Sequence, residues 1–428
     1  MISDPELITP NVERMSERFA ALAEFHDSTV PGWSREVFSE PYRASRDWVR
    51  RQMADAGLDP VIDAAGNIVG RLPGRRGGGP ALVTGSHTDT VSQGGRFDGI
   101  VGVLAGIEVA QRFRETGTRL EHDLTVVDFL GEEANDFGIS CIGSRAVTGV
   151  LRAEHFDRVD GAGTRLGDAV TGFGLDPQRM LRQAWRPADV HAYVELHIEQ
   201  GPLLERSGTS VGVVTAIAGI DRLLLRFAGQ SGHAGTTAMD ERHDALVSAA
   251  AAVLTVERVG CGAPVHGVAT PGCIESSPGS MGVITDQARL WAELRSVDGS
   301  WLRGARKQIV DEVVAEARRR GVQVDVDHLT DQDPVPTAEP VQDVIGRSAD
   351  ALGLSWRAVP SGAGHDAAHL ARLAPMGMIF VPSVNGRSHC PEEFTAITDI
   401  EQGVHVLAST LMSLDRMSLD RRAVVRGV

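Results

Sequence analysis

The chain has no apolar run of the roughly eighteen or more residues that a membrane-spanning helix needs. That absence excludes a helical membrane span and leaves an aqueous protein as the expectation. Its four cysteines, Cys141, Cys261, Cys273 and Cys390, are scattered and form no C-x-x-C pair. A disulfide framework is therefore not expected, and the thiols fit a reducing cytoplasm. Positive charge is in short supply too. The formal net charge is −15 and the pI about 5.4. Such a balance repels phosphate backbones and anionic membrane surfaces, so neither nucleic acid nor membrane is an expected partner. The opening "MISDPELITPNVERMSERFA" lacks a basic segment followed by an apolar one, so no secretory leader is expected. Internal repeats and low-complexity tracts are missing as well.

Hydrophobic residues make up 42% of 428 positions, which is enough for substantial cores and favours two domains. Helical spacing of apolar residues in "VERMSERFAALAEF" and "YRASRDWVRRQMADAG" predicts two opening helices. "LDPVIDAAGNIVGRLPG" alternates around Gly66-Asn67 and predicts a hairpin. Strand "ALVTGSH", a helix opening at Asp98 and strand "LTVVDFLGEE" then follow in the order of a mostly parallel α/β sheet. From about Thr215 the texture changes. "GIDRLLLRFAG", "MGVITDQARLWAELRSV" and "GVQVDVDHL" predict strands. "RHDALVSAAAAVLTVERVG" and "SWLRGARKQIVDEVVAEARRRG" predict amphipathic helices. The prolines of "DQDPVPTAEP" mark the exit, and alternation of strand and helix resumes at Val341. The expected architecture is an α/β domain built from residues 1–214 and 331–428, interrupted by an α+β insert over 215–330.

"TGSHTDTVSQGGRFDG" places His87, Asp89 and Asp98 among glycines where a strand gives way to a loop. Similar placements recur at Glu132-Glu133, at His197 in "ELHIEQGP", and at His389 in "VPSVNGRSHCPEE". In open α/β sheets ligands gather beyond the carboxyl ends of the strands, so residues distant in sequence can meet there. Imidazoles with several carboxylates suit two divalent ions, about 3.5–4 Å apart and bridged by one acid. That donor set favours zinc, manganese, cobalt or nickel over calcium or magnesium. Asp89, two residues past His87, is expected to accept that ring's other N–H. Adjacent residues at a strand end point to different sides, so one of the Glu132-Glu133 pair can ligate while the other takes a proton from water. Each fragment alone is more often a solvated pair or a surface charge; together, at strand ends, they favour chemistry.

Long stretches resemble the signature blocks of one family. They are "GSHTDTVSQGGRFDGIVGVLAGIE", "GEEANDFGISCIGSRAVTG", "ELHIEQGPLLE", "GHAGTTAMDERHDAL", "SGAGHDAAHLA" and "MIFVPSVNGRSHCPEEFT". The chain is similar to the N-carbamoyl-L-amino acid hydrolase / allantoate amidohydrolase family, dimetal amidases of the hydantoinase/carbamoylase type within the aminoacylase-like metallopeptidase clan. The blocks run in order from Gly85 to Thr395. The resemblance implies that His87 and His197 hold one ion and Glu133 and His389 the other, with Asp98 bridging. It implies Glu132 as general base and Asp89 as the partner of His87. Gln200 is implied to touch substrate or support the metal site. His233, supplied by the insert of a second subunit, is implied to donate to the oxyanion. The insert thereby becomes a lid and dimerisation domain, and the expected assembly is a homodimer. The loop "SGAGHDA", with Gly364 and His365, is implied to meet the polar end of the substrate, and Arg295 to clamp its carboxylate.

Two departures stand out. Where the family usually carries Asn-Val/Ile-Ile/Val-Pro-Gly, this chain has Gly282 in the Asn position and Thr285-Asp286 for Pro-Gly. Asp136 replaces an arginine beside the paired glutamates. Intact ligands and base with an altered pocket imply hydrolysis of a linear amide or ureido bond, first of all in an N-carbamoyl-L-amino acid. Allantoate, ureidoglycolate, N-acyl-amino acids and dipeptides are the alternative substrates. A non-catalytic binding module is the other class, but such drift erodes ligands first, and all six ligand and base positions are present.

Overall fold

The computed structural model describes residues 8–419. The expectation about a leader peptide rests partly on residues outside that range. The chain opens with α1 (Val12–Ala23) and α2 (Glu40–Asp55), capped by the side chains of Asn11 and Ser39. Hairpin β1 (Asp59–Ile62) and β2 (Ile68–Leu72) leads to β3 (Ala81–His87), α3 (Ile100–Thr116) and β4 (Leu124–Phe129). Short helices α4 (Ile142–Val147), α5 (Leu166–Gly172) and α6 (Pro177–Met180) precede β5 (Val190–Ile198), α7 (Leu203–Ser207) and β6 (Val211–Ile217). Next come β7 (Gly219–Ala228), β8 (Gly232–His233), α8 (Ala245–Cys261), β9 (Val268–Ser277), β10 (Val283–Ile284) and β11 (Gln287–Ser296). The remainder is α9 (Gly299–Arg319), β12 (Gln323–Gln332), β13 (Val335–Pro336), α10 (Glu339–Ala351), β14 (Trp356–Ser361), α11 (Asp366–Leu370), β15 (Met376–Val381) and α12 (Ile397–Asp415).

Two compact units result. The first holds the described residues up to Thr215, Thr337–Val359 and those from His365 onward; the second holds Ala216–Pro336 and Pro360–Gly364. The insert thus ends a few residues later than 330, and it also takes the short segment 360–364.

In the first unit the sheet runs β1-β2-β4-β3-β5-β15-β6. Its centre, β4-β3-β5-β15, is parallel, and its flanks are antiparallel. Strands β4, β5 and β15 are buried along their whole length, as parallel strands covered on both faces must be. Leu82, Val126, Val194, Leu196 and Ile379 alternate along them onto one face. There they pack with Ile100, Val103 and Ile107 of α3 and with Val404, Leu407 and Leu411 of α12. The parallel order makes His87, the Glu132-Glu133 pair and His197 share the carboxyl end of the sheet.

The second unit is a four-stranded antiparallel sheet, β12-β7-β11-β9. Leu223, Leu225 and Phe227 alternate with outward residues along β7, and Ala288, Leu290, Ala292 and Leu294 along β11. They meet Ala249, Ala252 and Val256 of α8 and Ile309 and Val313 of α9. Asp244 and Asp298 cap these helices through their carboxylates. The stretch "MGVITDQARLWAELRSV", expected as one strand, divides into β10 and β11. The carbonyls of Thr285 and Asp286 are drawn off to the N–H groups of Ala245 and Gly229, 2.9 and 2.7 Å away. No helix among the described residues is long and apolar enough to cross a membrane.

Candidate active site

His87 ends β3 with its ring buried, and its Nδ1 lies 3.0 Å from the backbone carbonyl of Asp89. A carbonyl only accepts, so Nδ1 carries the proton and Nε2 offers a lone pair. The carboxylate of Asp89 lies farther off, 3.6 Å from Nδ1. It accepts instead the N–H groups of Glu132 and Glu133, at 3.2 and 3.0 Å. Asp89 thus stands beside His87 with both its main chain and its side chain, the carbonyl being the nearer of the two. His197 follows the same rule, its Nδ1 donating to the Ile198 carbonyl at 2.8 Å.

The loop after β3 is fastened from below. Arg35, wholly buried, donates through Nε to the Thr88 carbonyl at 2.6 Å and through Nη1 to that of Phe25 at 2.8 Å. Thr88 Oγ1 donates to Asp128 at 3.0 Å, and Arg46 pairs with the other Asp128 oxygen at 3.3 Å. At the other end of the loop Gly99 has φ +66°, and a Cβ there would stand 2.3 Å from the His87 ring. Only glycine lets Asp98 approach His87 so closely.

Asp98 is the hinge of the arrangement. Its Oδ1 lies 3.1 Å from His197 Nε2 and its Oδ2 lies 3.0 Å from His389 Nε2. His389 Nε2 is also 3.4 Å from Glu133 Oε1. Two groups result, His87–Asp98–His197 and Asp98–Glu133–His389, each with its donor atoms mutually within 4.8 Å. Glu132 belongs to neither. Its Oε2 is 3.6 Å from His87 Nε2, and its Oε1 is 3.4 Å from the thiol of Cys141. A third group, Glu195–His197–His365, is of another kind. The Glu195 oxygens already accept from Ser86 Oγ at 2.7 Å and Tyr193 Oη at 2.8 Å, which makes it part of the hydrogen-bonded interior.

Electrostatics explain what the cluster wants. Burial, then the charges of Asp366 and Glu133, push Glu132 well above the usual carboxylate range. Burial and the charge of Asp98 do the same to Glu133. Burial also opposes ionisation of Asp98, but hydrogen bonds from His197 and His389 outweigh it and hold Asp98 well below the ordinary value. The hydrogen bond to Asp98 lifts His389 to about 9. His197 also reaches about 9, because Asp98 outweighs the effect of its burial. Among the described residues, the ion pairs of Asp98, Glu132 and Glu133 are with histidines alone. The N–H of Gly99 also lies 3.2 Å from Nε2 of His197. Carboxylate oxygens and imidazole nitrogens converge here as a donor set that could hold a cation. A divalent metal fits this donor set.

The other sequence candidates sit as follows. Gln200 donates from Nε2 to Asp98 Oδ2 at 2.7 Å, which ties it to the residue shared by the two candidate ligand groups, while its buried Oε1 has no partner among the described residues. The His365 ring is buried and packs edge-on to His197 with centroids 4.5 Å apart, so it faces a ligand rather than open solvent. In the second unit, His233 is exposed and its Nδ1 accepts the Gly235 N–H at 3.0 Å, which leaves the proton on Nε2. Gly282 accepts the Ala234 N–H at 2.9 Å, and space is open where its side chain would be. Arg295 donates from Nε to Glu293 at 2.6 Å and from Nη1 to the Gly362 carbonyl at 3.2 Å. Gly364 ends that same segment, and a Cβ on it would stand 3.9 Å from Ile220. Sequence reasoning did not single out Ser388 and Glu393, whose oxygens adjoin Asp98; Glu393 accepts from main-chain N–H groups and a hydroxyl, and Ser388 donates to carboxylates, contacts that leave no spacing signal.

The sequence profile of peptidase family M20/M25/M40 matches residues 83–413. The chain belongs to this family. This M20 member is 37% identical over 402 residues to the N-carbamoyl-L-amino acid amidohydrolase of Geobacillus stearothermophilus, covering 94% of this chain and 98% of the relative. It is 35% identical over 404 residues to the ureidoglycolate hydrolase of Oryza sativa subsp. japonica, covering 93% and 83%. The solved structure of an amidase of the hydantoinase/carbamoylase family from Burkholderia multivorans superposes with a TM-score of 0.85 at 32% identity, covering 96% and 100%. The M20 chain is a metal-dependent amidohydrolase acting on non-peptide C–N bonds.

Proposed function

We propose that the protein hydrolyses the terminal ureido C–N bond of an N-carbamoyl-L-amino acid, with two divalent ions per chain. One ion is assigned to His87, Asp98 and His197 and the other to Asp98, Glu133 and His389. Zinc, manganese, cobalt and nickel all suit these donors. When bound, such ions polarise a carbonyl and make water acidic enough to ionise near neutral pH. The single observation that supports this reading is that one carboxylate, Asp98, serves both groups while Glu132 stands beside them in neither.

Glu132 takes the proton of the attacking water as the C–O bond forms, and returns it to the departing nitrogen as the C–N bond breaks. Ammonia leaves, and the carbamate that remains loses carbon dioxide to give the amino acid. Burial, with the charges of Asp366 and Glu133, raises the Glu132 carboxyl well above the usual carboxylate range, which strengthens it as a base. His233, protonated on Nε2, is the proposed donor to the oxyanion. Arg295 is the proposed carboxylate clamp, assisted by the N–H of Gly364. Gln200 and His365 act on the ligands: the first through Asp98, the second by packing on His197.

The proposed assembly is a homodimer through the second unit. Strand β9 is that sheet's edge and exposes Val268 and Ile274; α8 exposes Leu246, Val247 and Leu254. A bare edge strand beside an apolar helix face is a surface that self-pairing covers. Sedimentation equilibrium reading a single chain mass would remove the dimer. The proposed location is the cytoplasm, a reading supported by four scattered, free cysteines.

The deciding experiment incubates manganese-loaded protein with N-carbamoyl-L-amino acids, allantoate, ureidoglycolate, N-acetyl-amino acids and dipeptides, and measures ammonia and amine products. Turnover confined to carbamoyl compounds supports the proposal. Turnover of allantoate or ureidoglycolate alone keeps the chemistry and replaces the substrate. A metal-loaded protein inert to all of them sinks the reading.

A further inference from the structure

Glu393 is 2% exposed and sits in no helix or strand, yet its carboxylate is fully engaged. Oε1 accepts the N–H of Phe97 at 2.9 Å and that of Asp98 at 3.1 Å. Oε2 accepts from Ser388 Oγ at 2.7 Å. The first two donors belong to the loop that presents Asp98; the third belongs to the residue before His389. One buried carboxylate therefore grips both segments that meet at the second ligand group.

Three features show that the grip is built in. A Cβ at Gly95 would fall 2.1 Å from Glu393 Oε1, so position 95 must be bare for the carboxylate to enter the loop. The ring of Phe394 packs edge-on against Phe97 with centroids 5.6 Å apart, a second tie between the same two segments. His389 adopts φ +56°, a left-handed conformation that a non-glycine residue keeps only when its surroundings hold it there. Ser388 Oγ also lies 3.1 Å from Asp98 Oδ2. Its single proton goes to one carboxylate at a time, so this hydroxyl couples the position of Asp98 to that of Glu393.

We infer that Glu393 is a positioning residue that fixes Asp98 against His389 and thereby sets the affinity of the ion assigned to Asp98, Glu133 and His389. The inference rests on the two-ion reading above. It needs no contact between Glu393 and substrate or metal. Partners one layer behind metal ligands typically change affinity or activity by about 10–100-fold when removed.

The test measures manganese stoichiometry and affinity by calorimetry and elemental analysis, with melting temperature and kcat in parallel. Glu393→Ala and Gly95→Ala, which removes the carboxylate or pushes it aside, should lower content from two ions towards one, with one affinity reduced about 10–100-fold. The ion assigned to His87, Asp98 and His197 should remain, and adding Glu133→Gln to Glu393→Ala should lower content no further. Glu393→Gln should restore two ions, because its amide oxygen still accepts both N–H groups and its NH2 can donate to Ser388. Gly95→Ala protein that binds two ions at wild-type affinity overturns the inference. So does loss of both ions in step with the melting temperature, which marks a purely structural role. Wild-type protein that binds only one ion removes the two-ion reading itself, and the inference with it.

Discussion

The carboxylate of Asp89 accepts the backbone N–H of Glu133 at 3.0 Å, and its other oxygen accepts that of Glu132 at 3.2 Å. One buried acid thus aligns the main chain of the two residues proposed to divide ligation from proton transfer. His87, its expected partner, is served by the Asp89 carbonyl. Replacing Asp89 with Asn turns one acceptor into a donor that faces an N–H. We expect kcat to fall about 10–100-fold with KM nearly unchanged, and the ion assigned to Glu133 to bind more weakly. Metal content and steady-state kinetics on the same preparation check this; an intact second site with a weakened His87 site would return Asp89 to its expected role.

Glu132→Gln separates base from ligand. The amide keeps the size of the side chain but cannot take a proton, and Glu132 lies outside both ligand groups. Metal content should stay at the wild-type value while kcat falls about 10²–10⁴-fold. A fully active Glu132→Gln enzyme assigns the base elsewhere.

What the sequence made legible follows from where chemistry interrupts a pattern. Buried runs such as Ala81–Val83 and Leu124–Phe129 end abruptly in histidine or glutamate, so the carboxyl end of the sheet could be located from the chain alone. Strand β9 could not. Pro271 and Gly272 lie inside it and break the alternation; they are tolerated because β9 is an edge strand whose register slips beside Pro271. The division of β10 from β11 was equally hidden, since it depends on main-chain partners at Ala245 and Gly229. The same holds at the site. Ligand side chains announce themselves by type, whereas Asp89 and Glu393 act on backbone N–H groups that every residue has.

Gly99 offers a test of close approach. Alanine there meets two obstacles: φ of +66°, and a Cβ 2.3 Å from the His87 ring. The backbone strain alone costs about 1–2 kcal/mol, and relief requires His87 to turn aside. Gly99→Ala should therefore lose the ion assigned to His87, Asp98 and His197 and lower the melting temperature by a few degrees. Wild-type metal content in this variant would show that His87 has room to spare.

His369 on α11 should make stability depend on pH. Burial first, then the charges of Arg145 and Arg372, push its imidazole from the usual 6.5 down to about 3. Between those values the unfolded chain binds a proton that the folded chain refuses, so stability rises with pH across that window. The contribution is complete above about 6.5 and is lost as pH falls towards 3. The residue keeps an edge to solvent, which reduces the effect below its ceiling of about 1.4 kcal/mol per pH unit. Wild-type protein should lose more stability between pH 7 and pH 5 than His369→Gln, in which nothing titrates at this position. Urea unfolding of both proteins at the two pH values measures the difference. Equal losses in the two proteins would mean that the folded state accommodates the imidazolium, and that neither burial nor the two arginines exclude it.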